Sequence, residues 1–324
     1  MAPEFPQIPG QRGLATTPQL LEHGWTYSTL SHLVATTGRR VLPRVYLPHR
    51  LPVEPDDIIL AGWLWAGRDT VLTGARALAR HGLSIDSFDP ITRFLTGRDG
   101  RNREGNLGME VRRTRRLPRG SVRGDLVVSP VERALVDAAR YKEAPPRDLE
   151  GWTISALQKR LTTPDRLDAE VTASGWLGLA PVTAGCAAFR RGAWSVPEAS
   201  LIDLVEQDAR LPRMVANRRL WDRSGRLIGR PDGYFVDVGV AVQVHSRRFH
   251  DGPDAEGRDR WVTTVEGDTM FARHGIVVTG VTPTTLASDP SRFLDALVDV
   301  VNAHGGRPAP TVKVEGEQDL SQAV

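Results

Sequence analysis

Polar residues in the C-terminal third have the types and the order needed for phosphodiester chemistry. Glu198 stands near the start of an amphipathic helix, and Asp232 opens a predicted strand. The next predicted strand carries Gln243 and His245, and His250 follows it. Carboxylates clustered on a sheet can hold Mg²⁺, which neutralises developing charge and activates water. Because magnesium prefers anionic oxygen ligands, an amide and an imidazole in this set favour a degraded metal site, and no residue is assigned as catalytic or metal-binding.

Three interpretations of this set remain open. In the first, the domain binds nucleic acid without cutting it and needs no cofactor. In the second, a rearranged site of Asp232, Asp237, His245 and His250 cuts DNA with Mg²⁺, which would make the protein an endonuclease. In the third, the residues are ordinary polar groups at the end of a sheet, and Glu198 favours the N-terminus of its helix.

The elements that must position these residues follow from hydrophobic spacing. Apolar residues at helical spacing predict a helix over 199–209, and alternating residues predict strands over 231–235 and 238–245. A further helix over 260–274 is followed by Gly275 and a strand over 276–279. The acids and their replacements therefore fall on one helix and two neighbouring strands.

This order of motifs resembles the very-short-patch-repair-like endonuclease domain, which has the PD-(D/E)XK nuclease fold. The family pattern is matched by a Ser-x-x-Glu helix start at Ser195 and by an Arg-x-Asp strand at Arg230. Gln243 and His245 stand where the family has acids. The resemblance implies that residues 193–304 form a restriction-endonuclease-like mixed sheet with flanking helices, and that its nuclease motif is degenerate.

The first fifty residues have the pattern of two short helices and a hairpin. A threonine cap and Pro18 start the first helix, which ends at Gly24. A second helix is predicted over 27–36, and alternation over 39–48 predicts a basic hairpin. Two short helices joined by a glycine turn and followed by a hairpin predict a winged helix-turn-helix over 13–50.

The same stretch resembles the N-terminal domain of AbiEi-type antitoxins of the actinobacterial kind, through Gly-Leu-Ala-Thr at Gly13 and Gly-Trp-Thr at Gly24. The resemblance implies a second helix that contacts base edges and hairpin arginines that contact phosphates. The residues expected on bases are Tyr27, Ser28, Ser31 and His32, and those expected on phosphates are Arg39, Arg40 and Arg44. Prolines replace the helix that the family has before Gly13, so residues 1–12 are expected to be flexible. The apolar faces of the two helices are then expected to need cover from the middle region or a second subunit.

Residues 51–192 are predicted to form an α+β middle domain. Its predicted elements are helices over 58–65 and 71–79, strands over 91–95 and 110–114, and a helix that follows Ser129. The Ser-Pro-x-x-Arg-x-Leu-x-Asp-x-Ala segment at Ser129 resembles the central motif of the same antitoxin family. In that helix, Arg133 and Asp137 are expected to pair across one turn.

Ten arginines lie between residues 93 and 123. Four of them lie on one predicted strand or directly after it and are expected to contact the phosphate backbone of DNA, namely Arg112, Arg113, Arg115 and Arg116. The alternative is a solvated surface loop with no ligand. The whole middle domain is therefore described as α+β with an arginine-rich loop.

Composition bounds the class of protein. The 324 residues carry a net charge of only +3, but three lysines among 42 basic residues make the balance almost wholly arginine, which suits phosphate and guanine edges. A single cysteine, Cys186, excludes a disulfide framework and a thiolate zinc site. No leader and no run of about 18 apolar residues is present, so cytoplasmic residence without a membrane partner is expected.

These observations predict an α/β protein, α+β overall, with a nuclease-like domain over 193–304 and a mobile tail over 305–324. The favoured function is a DNA-binding transcriptional regulator of the autorepressor or antitoxin-like type, with double-stranded DNA as partner. A palindromic operator would imply a homodimer. The alternatives are a Mg²⁺-dependent DNA endonuclease and an antitoxin that acts by contact with a cognate toxin.

Overall fold

The computed structural model describes residues 3–86, 88–245 and 260–316, with the backbone alone over 260–265. The chain is a mixed α/β protein, as predicted, and divides into two compact units, 1–183 and 184–324. Over these described ranges, no helix is both long enough and apolar enough to cross a bilayer.

The first unit begins with two short helices and a small sheet. Its first elements are β1 (Ala15–Thr16), α1 (Thr17–Glu22), α2 (Tyr27–Ala35), β2 (Arg39–Leu42), β3 (Val45–Leu47) and α3 (Pro55–Ala66). The three strands form an antiparallel sheet in the order β1-β3-β2. Thr26 caps α2 by accepting the backbone N–H of Thr29. Gly24 has a positive φ of 82° in the turn between the helices, a conformation that glycine adopts without strain.

The rest of the first unit is built on a six-stranded mixed sheet. Its elements are β4 (Val71–Thr73), α4 (Gly74–Arg80), β5 (Thr92–Thr96), β6 (Arg103–Glu104), β7 (Met109–Arg113), β8 (Ser121–Arg123), β9 (Leu126–Val128), α5 (Val131–Arg140), α6 (Pro146–Gln158) and α7 (Pro164–Ser174). The sheet order is β6-β7-β5-β4-β9-β8, with parallel pairs β5/β7 and β4/β9. The division between the units falls within the next helix, α8 (Ala180–Arg190).

The second unit has one central sheet and one small sheet. Its elements are α9 (Val196–Gln207), β10 (Met214–Ala216), β11 (Leu220–Trp221), β12 (Leu227–Gly229), β13 (Gly233–Phe235), β14 (Val240–Val244), α10 (Arg260–Arg273), β15 (Val277–Val281), α11 (Pro283–Ser288), α12 (Pro290–His304) and β16 (Lys313–Val314). The central sheet has the order β10-β13-β14-β15, antiparallel except for the parallel pair β14/β15. The small sheet has the order β12-β11-β16.

Alternating side chains of β13 and β14 divide the core of the second unit into two layers. Phe235 packs with Leu201 of α9 and Leu297 of α12, whereas Tyr234 packs with Phe271 of α10 and Val314 of β16. Neighbouring residues of a strand point to opposite faces, so helices cover one face, and α10 with the small sheet covers the other. Burial on both faces explains why β14 is apolar at almost every position.

Besides shifts of a few residues at the ends of elements, three predictions differ from the structure. Residues 71–73 were predicted as helix, but they pair with β5 and β9 as a buried strand, and the helix starts only at Gly74. The predicted mobile tail contains β16, which pairs with β11 and buries Val314. The prediction of a flexible N-terminus is also wrong for the described residues 3–12, because Pro6 and Gln11 are buried and Gln11 exchanges hydrogen bonds with Gln19.

Candidate functional site

The outer face of α2 is polar and exposed. Leu30 and Leu33 point into the core, while Tyr27, at 71% exposure, lies on the opposite side of the helix. The other residues predicted to contact bases, Ser28, Ser31 and His32, are exposed as well. The spacing of the four residues puts them on one helical face, so the structure brings this predicted set together.

The hairpin β2–β3 carries three arginines, Arg39, Arg40 and Arg44. Arg40 and Arg44 are exposed and Arg39 is half-buried. Over the part of the chain that the structure describes, none of the three forms an ion pair. Arg44 occupies the hairpin turn with a positive φ of 66°, and its carbonyl accepts the Thr17 N–H at 2.9 Å. The hairpin is thus joined to the start of α1 by a backbone hydrogen bond, with its positive charges open to solvent.

The N-terminal segment supplies the cover that the two helices need. Phe5 and Ile8 pack against the cluster that contains Leu20 and Leu30. The Phe5 and Trp25 rings meet edge to face with centroids 5.7 Å apart, and the Trp25 indole N–H donates to the carbonyl of residue 4. Neither a second subunit nor the middle region is needed for this face, and that expectation is corrected.

The four arginines predicted on β7 and after it fall into two pairs. Arg112 forms ion pairs with Glu110 and Glu104, at 2.9 and 3.4 Å. Arg116 pairs with Glu170 at 2.7 Å. Arg113 and Arg115 are exposed and form no ion pair within the described ranges. Local carboxylates therefore balance Arg112 and Arg116, which weakens their predicted role on phosphates.

Arg113 and Arg115 line two cavities rather than a convex surface. One cavity of about 400 Å³ extends to Arg140 and Trp176, and another of about 480 Å³ extends to Arg98. No local sequence pattern marks Arg140 or Trp176, because α5 and the residues after α7 reach this place only through the tertiary fold.

In the second unit, Glu198 holds the start of its own helix. One carboxylate oxygen accepts the Ser195 hydroxyl at 2.7 Å, and the other accepts the backbone N–H of Trp194 at 2.8 Å. The Asn217 side-chain amide donates to the same second oxygen. The Ser195 hydroxyl oxygen accepts the Glu198 N–H in return. Ser195 is therefore the N-cap of α9, and Glu198 in the first turn holds the Ser195 hydroxyl and the chain that enters the helix.

Asp232 lies where β13 begins and β14 ends. Its carboxylate accepts the Val244 N–H at 2.7 Å, and its own N–H points to the Gln243 amide oxygen at 3.4 Å. Burial of the carboxyl group raises the pKa of Asp232 most, and the negative charge of Glu198 raises it further. The hydrogen bond from the Val244 N–H lowers it, and the resulting pKa is about 7. The residue as a whole keeps intermediate exposure, but the carboxyl group itself is the buried part.

Asp268 joins this end of the sheet from α10. Its Oδ2 lies 3.9 Å from Nε2 of His245, and its charge also contributes to the raised pKa of Asp232. No motif in the sequence marks Asp268, since only the packing of α10 on the sheet brings it near β14. Asp237 is exposed in the turn at the opposite end of the β13–β14 hairpin, so it does not belong to this cluster. His250 lies outside the described residues.

The described part of this cluster does not form a Mg²⁺ site. The two oxygens of Glu198 accept the Ser195 hydroxyl and the Trp194 N–H, Oδ2 of Asp232 accepts the Val244 N–H, and the Gln243 amide oxygen faces the Asp232 N–H. Among the residues that the structure describes, no three His, Cys, Asp or Glu side chains form a group that could hold a metal ion. Magnesium needs several oxygen ligands in near-octahedral geometry, and no such group is formed by these described side chains.

No protein-family model matches the chain, and no curated protein matches it. The functional assignment therefore rests on the geometry of the residues described above.

Proposed function

We propose that the protein binds double-stranded DNA through α2 and the β2–β3 hairpin, as a transcriptional regulator of the autorepressor or antitoxin-like type. The observation that carries this proposal is the exposed polar face of α2, next in the chain to a hairpin whose arginines form no ion pair within the described ranges. An α-helix fits the major groove of B-DNA, where hydroxyl and imidazole groups can read base edges. Arginines beside it would hold the phosphates and set the register.

The arrangement of elements supports a winged helix-turn-helix for this part of the first unit. Two helices joined by a glycine turn are followed by an antiparallel hairpin, and β1 pairs with that hairpin. The buried cluster of Leu20, Trp25, Leu30 and Leu33 fixes α1 and α2 to each other. This support is independent of the family resemblance, although it agrees with an AbiEi-type DNA-binding domain.

For the second unit we propose a nuclease-like fold that has lost its metal site. The support is the order helix, three antiparallel strands, helix and one parallel strand in the central sheet, formed by α9, β10, β13, β14, α10 and β15. The carboxylates of Glu198 and Asp232 accept backbone N–H groups of the protein itself, and this structural role argues against metal-dependent hydrolysis of DNA. By analogy of fold alone, this unit adds a DNA-binding or dimerising surface.

The proposal is tested by titrating the full-length protein against its own upstream DNA and a scrambled control at several salt concentrations. Mg²⁺ or Mn²⁺ is included, and the DNA is recovered on a gel. Selective retention of intact upstream DNA is expected. Equal binding to both DNAs would remove the regulator proposal, and cut DNA whose cleavage is lost in Asp232→Ala would replace it by an endonuclease.

The hairpin arginines give a prediction on salt dependence. Replacing Arg40 and Arg44 by Gln removes two phosphate contacts, so the slope of log K against log salt should flatten by about 1.8, or about 0.9 for each contact. Affinity should fall for upstream and scrambled DNA alike. The matched control replaces the exposed Arg119 and Arg123 by Gln, which should leave the slope unchanged. An equal change in both double variants would show that overall charge alone drives the binding.

The exposed face of α2 gives a prediction on sequence preference. Ser31→Ala combined with His32→Ala should reduce the preference for upstream over scrambled DNA by at least roughly 30-fold, because two lost base contacts at about 1–3 kcal/mol each remove at least about 2 kcal/mol of discrimination. The salt slope should stay as in the unmodified protein. Competition binding with both DNAs measures the preference, and an unchanged preference would contradict the assignment of α2 to the major groove.

A further inference from the structure

We propose that the cleft between the end of β7 and the residues after α7 binds a phosphorylated nucleotide. This arginine cleft is defined by the residues that line its first cavity, Arg113, Thr114, Arg115, Arg116, Arg133, Val136, Asp137, Arg140, Ser174 and Trp176. The inference goes beyond DNA binding by α2 and does not depend on it.

The size and form of the cleft suit a small ligand. Its cavity has a volume of about 400 Å³, and Arg113, Thr114 and Arg115 also line the neighbouring cavity of about 480 Å³. Small-molecule sites are concave and have volumes of about 300–1,000 Å³. The concave surface encloses a mononucleotide better than it follows the convex backbone of a duplex.

The cleft is positively charged and suits an anionic ligand. Five of its lining residues are arginines and one is an aspartate. The aspartate, Asp137, is already engaged by Arg133 at 2.8 Å and by the Thr73 hydroxyl at 2.7 Å. Arg113, Arg115 and Arg140 form no ion pair within the described part of the chain. Three guanidinium groups line one cavity, and their planar forks fit phosphate oxygens.

An exposed indole lies beside these charges and offers a surface for stacking a planar ligand group. Trp176 keeps 48% of its surface exposed, and the Arg140 guanidinium lies 3.6 Å from its ring centroid. Indole and guanidinium planes are the surfaces on which nucleobases stack in single-stranded nucleic acid and nucleotide sites. A phosphate on Arg113 and Arg115 with a base on Trp176 satisfies both features with one ligand.

The floor of the cleft is held in place before any ligand binds. Arg133 is buried and pairs with Asp137, and it also donates to the Arg116 carbonyl at 2.9 Å. Glu170 holds the side chain of Arg116 from the other side. The backbone that presents Arg115 is therefore fixed by a buried arginine, which lowers the ordering cost of binding.

The test is calorimetry of the full-length protein with separate probes: ATP, AMP, adenosine, pyrophosphate and a short single-stranded oligonucleotide. We expect ATP to bind with one site per chain, AMP more weakly, and adenosine not at all. Arg113→Gln combined with Arg115→Gln should weaken ATP binding about tenfold or more. Arg119→Gln combined with Arg123→Gln removes the same charge outside the cleft and should bind ATP as the unmodified protein does.

A second variant separates the base from the phosphates. Trp176→Ala should weaken ATP binding about tenfold but leave pyrophosphate binding unchanged. Because Trp176 is half exposed, the variant should fold normally, and thermal denaturation checks this. ATP binding that survives the arginine replacements would overturn the proposal, as would the absence of ATP binding. Tight binding of the oligonucleotide with no binding of ATP would also overturn it and assign the cleft to single-stranded nucleic acid.

Discussion

Replacing Arg93 by Met is expected to lower the free energy of unfolding by about 3–5 kcal/mol, the cost of removing one partner from a buried ion pair. Arg93 lies in the six-stranded sheet with only 6% of its side chain exposed, and it pairs with Glu143, of which 2% is exposed. Glu110 and Asp89 take two other nitrogens of the same guanidinium. Without Arg93, the buried Glu143 and the partly buried Asp89 would each lose this ion pair, and Glu110 would keep only its pair with Arg112.

The position of Glu143 explains why the cost is large. Burial raises the pKa of Glu143, and Arg93 works against that rise by favouring the carboxylate. The same carboxylate accepts the Ala75 N–H at 2.6 Å at the start of α4. Through this hydrogen bond the carboxylate joins the start of α4 to the core. It lies so close to Gly74 that a side chain at that position would collide with it.

Urea denaturation of Arg93→Met measures the effect, and two further variants interpret it. Arg112→Met removes a more exposed arginine beside Glu110 and should cost less than about 1 kcal/mol. Adding Glu143→Gln to Arg93→Met should recover part of the loss, because it removes one uncompensated charge. A loss equal to that of Arg112→Met would show that the network contributes no more than a surface pair.

Asp232→Asn is expected to change how stability depends on pH. The ordinary pKa of this carboxyl group is 3.8, and in the folded protein it is about 7. Since the folded state holds the proton more tightly, the contribution of this group to stability is complete below about pH 4 and is lost as the pH rises towards 7. Each pKa unit corresponds to about 1.4 kcal/mol, so the loss by pH 8 reaches up to about 4 kcal/mol.

Asparagine carries no charge, so the variant should lack this decline and be more stable than the unmodified protein at pH 8. Its side-chain oxygen can still accept the Val244 N–H. Thermal or urea denaturation at pH 4.5, 6 and 8 measures the difference, with Asp237→Asn as the exposed control on the same hairpin. Parallel stability profiles for Asp232→Asn and the unmodified protein would contradict the raised pKa.

Local patterns predicted the elements whose apolar residues have a single face. The spacing of Leu30 and Leu33 placed α2 correctly, and the Arg133–Asp137 pair was predicted from its spacing alone and is confirmed at 2.8 Å. Residues 71–73 were misassigned because a short apolar run suits a helix or a buried strand equally. Its partners, β5 and β9, are distant in sequence and decide the outcome.

The site residues were predictable only where one element carries them all. Tyr27, Ser28, Ser31 and His32 share one helix, so their common face follows from the helical period. Asp268 and Trp176 each join their clusters from another element, and a single sequence has no signal for such a meeting. Glu198 was predicted as a site residue from its Ser-x-x-Glu spacing, which is typical of the nuclease family. The same spacing lets Glu198 hold the N-cap residue Ser195 at the start of a helix.

The position of β16 near the end of the sequence affects the order in which the two units can fold during synthesis. Every core residue of the first unit precedes residue 184, so that unit can fold while the ribosome is still adding the second. The small sheet of the second unit cannot close over Leu220 and Ile228 until Val314 has emerged. During that interval an apolar surface stays open to chaperones and to neighbouring nascent chains.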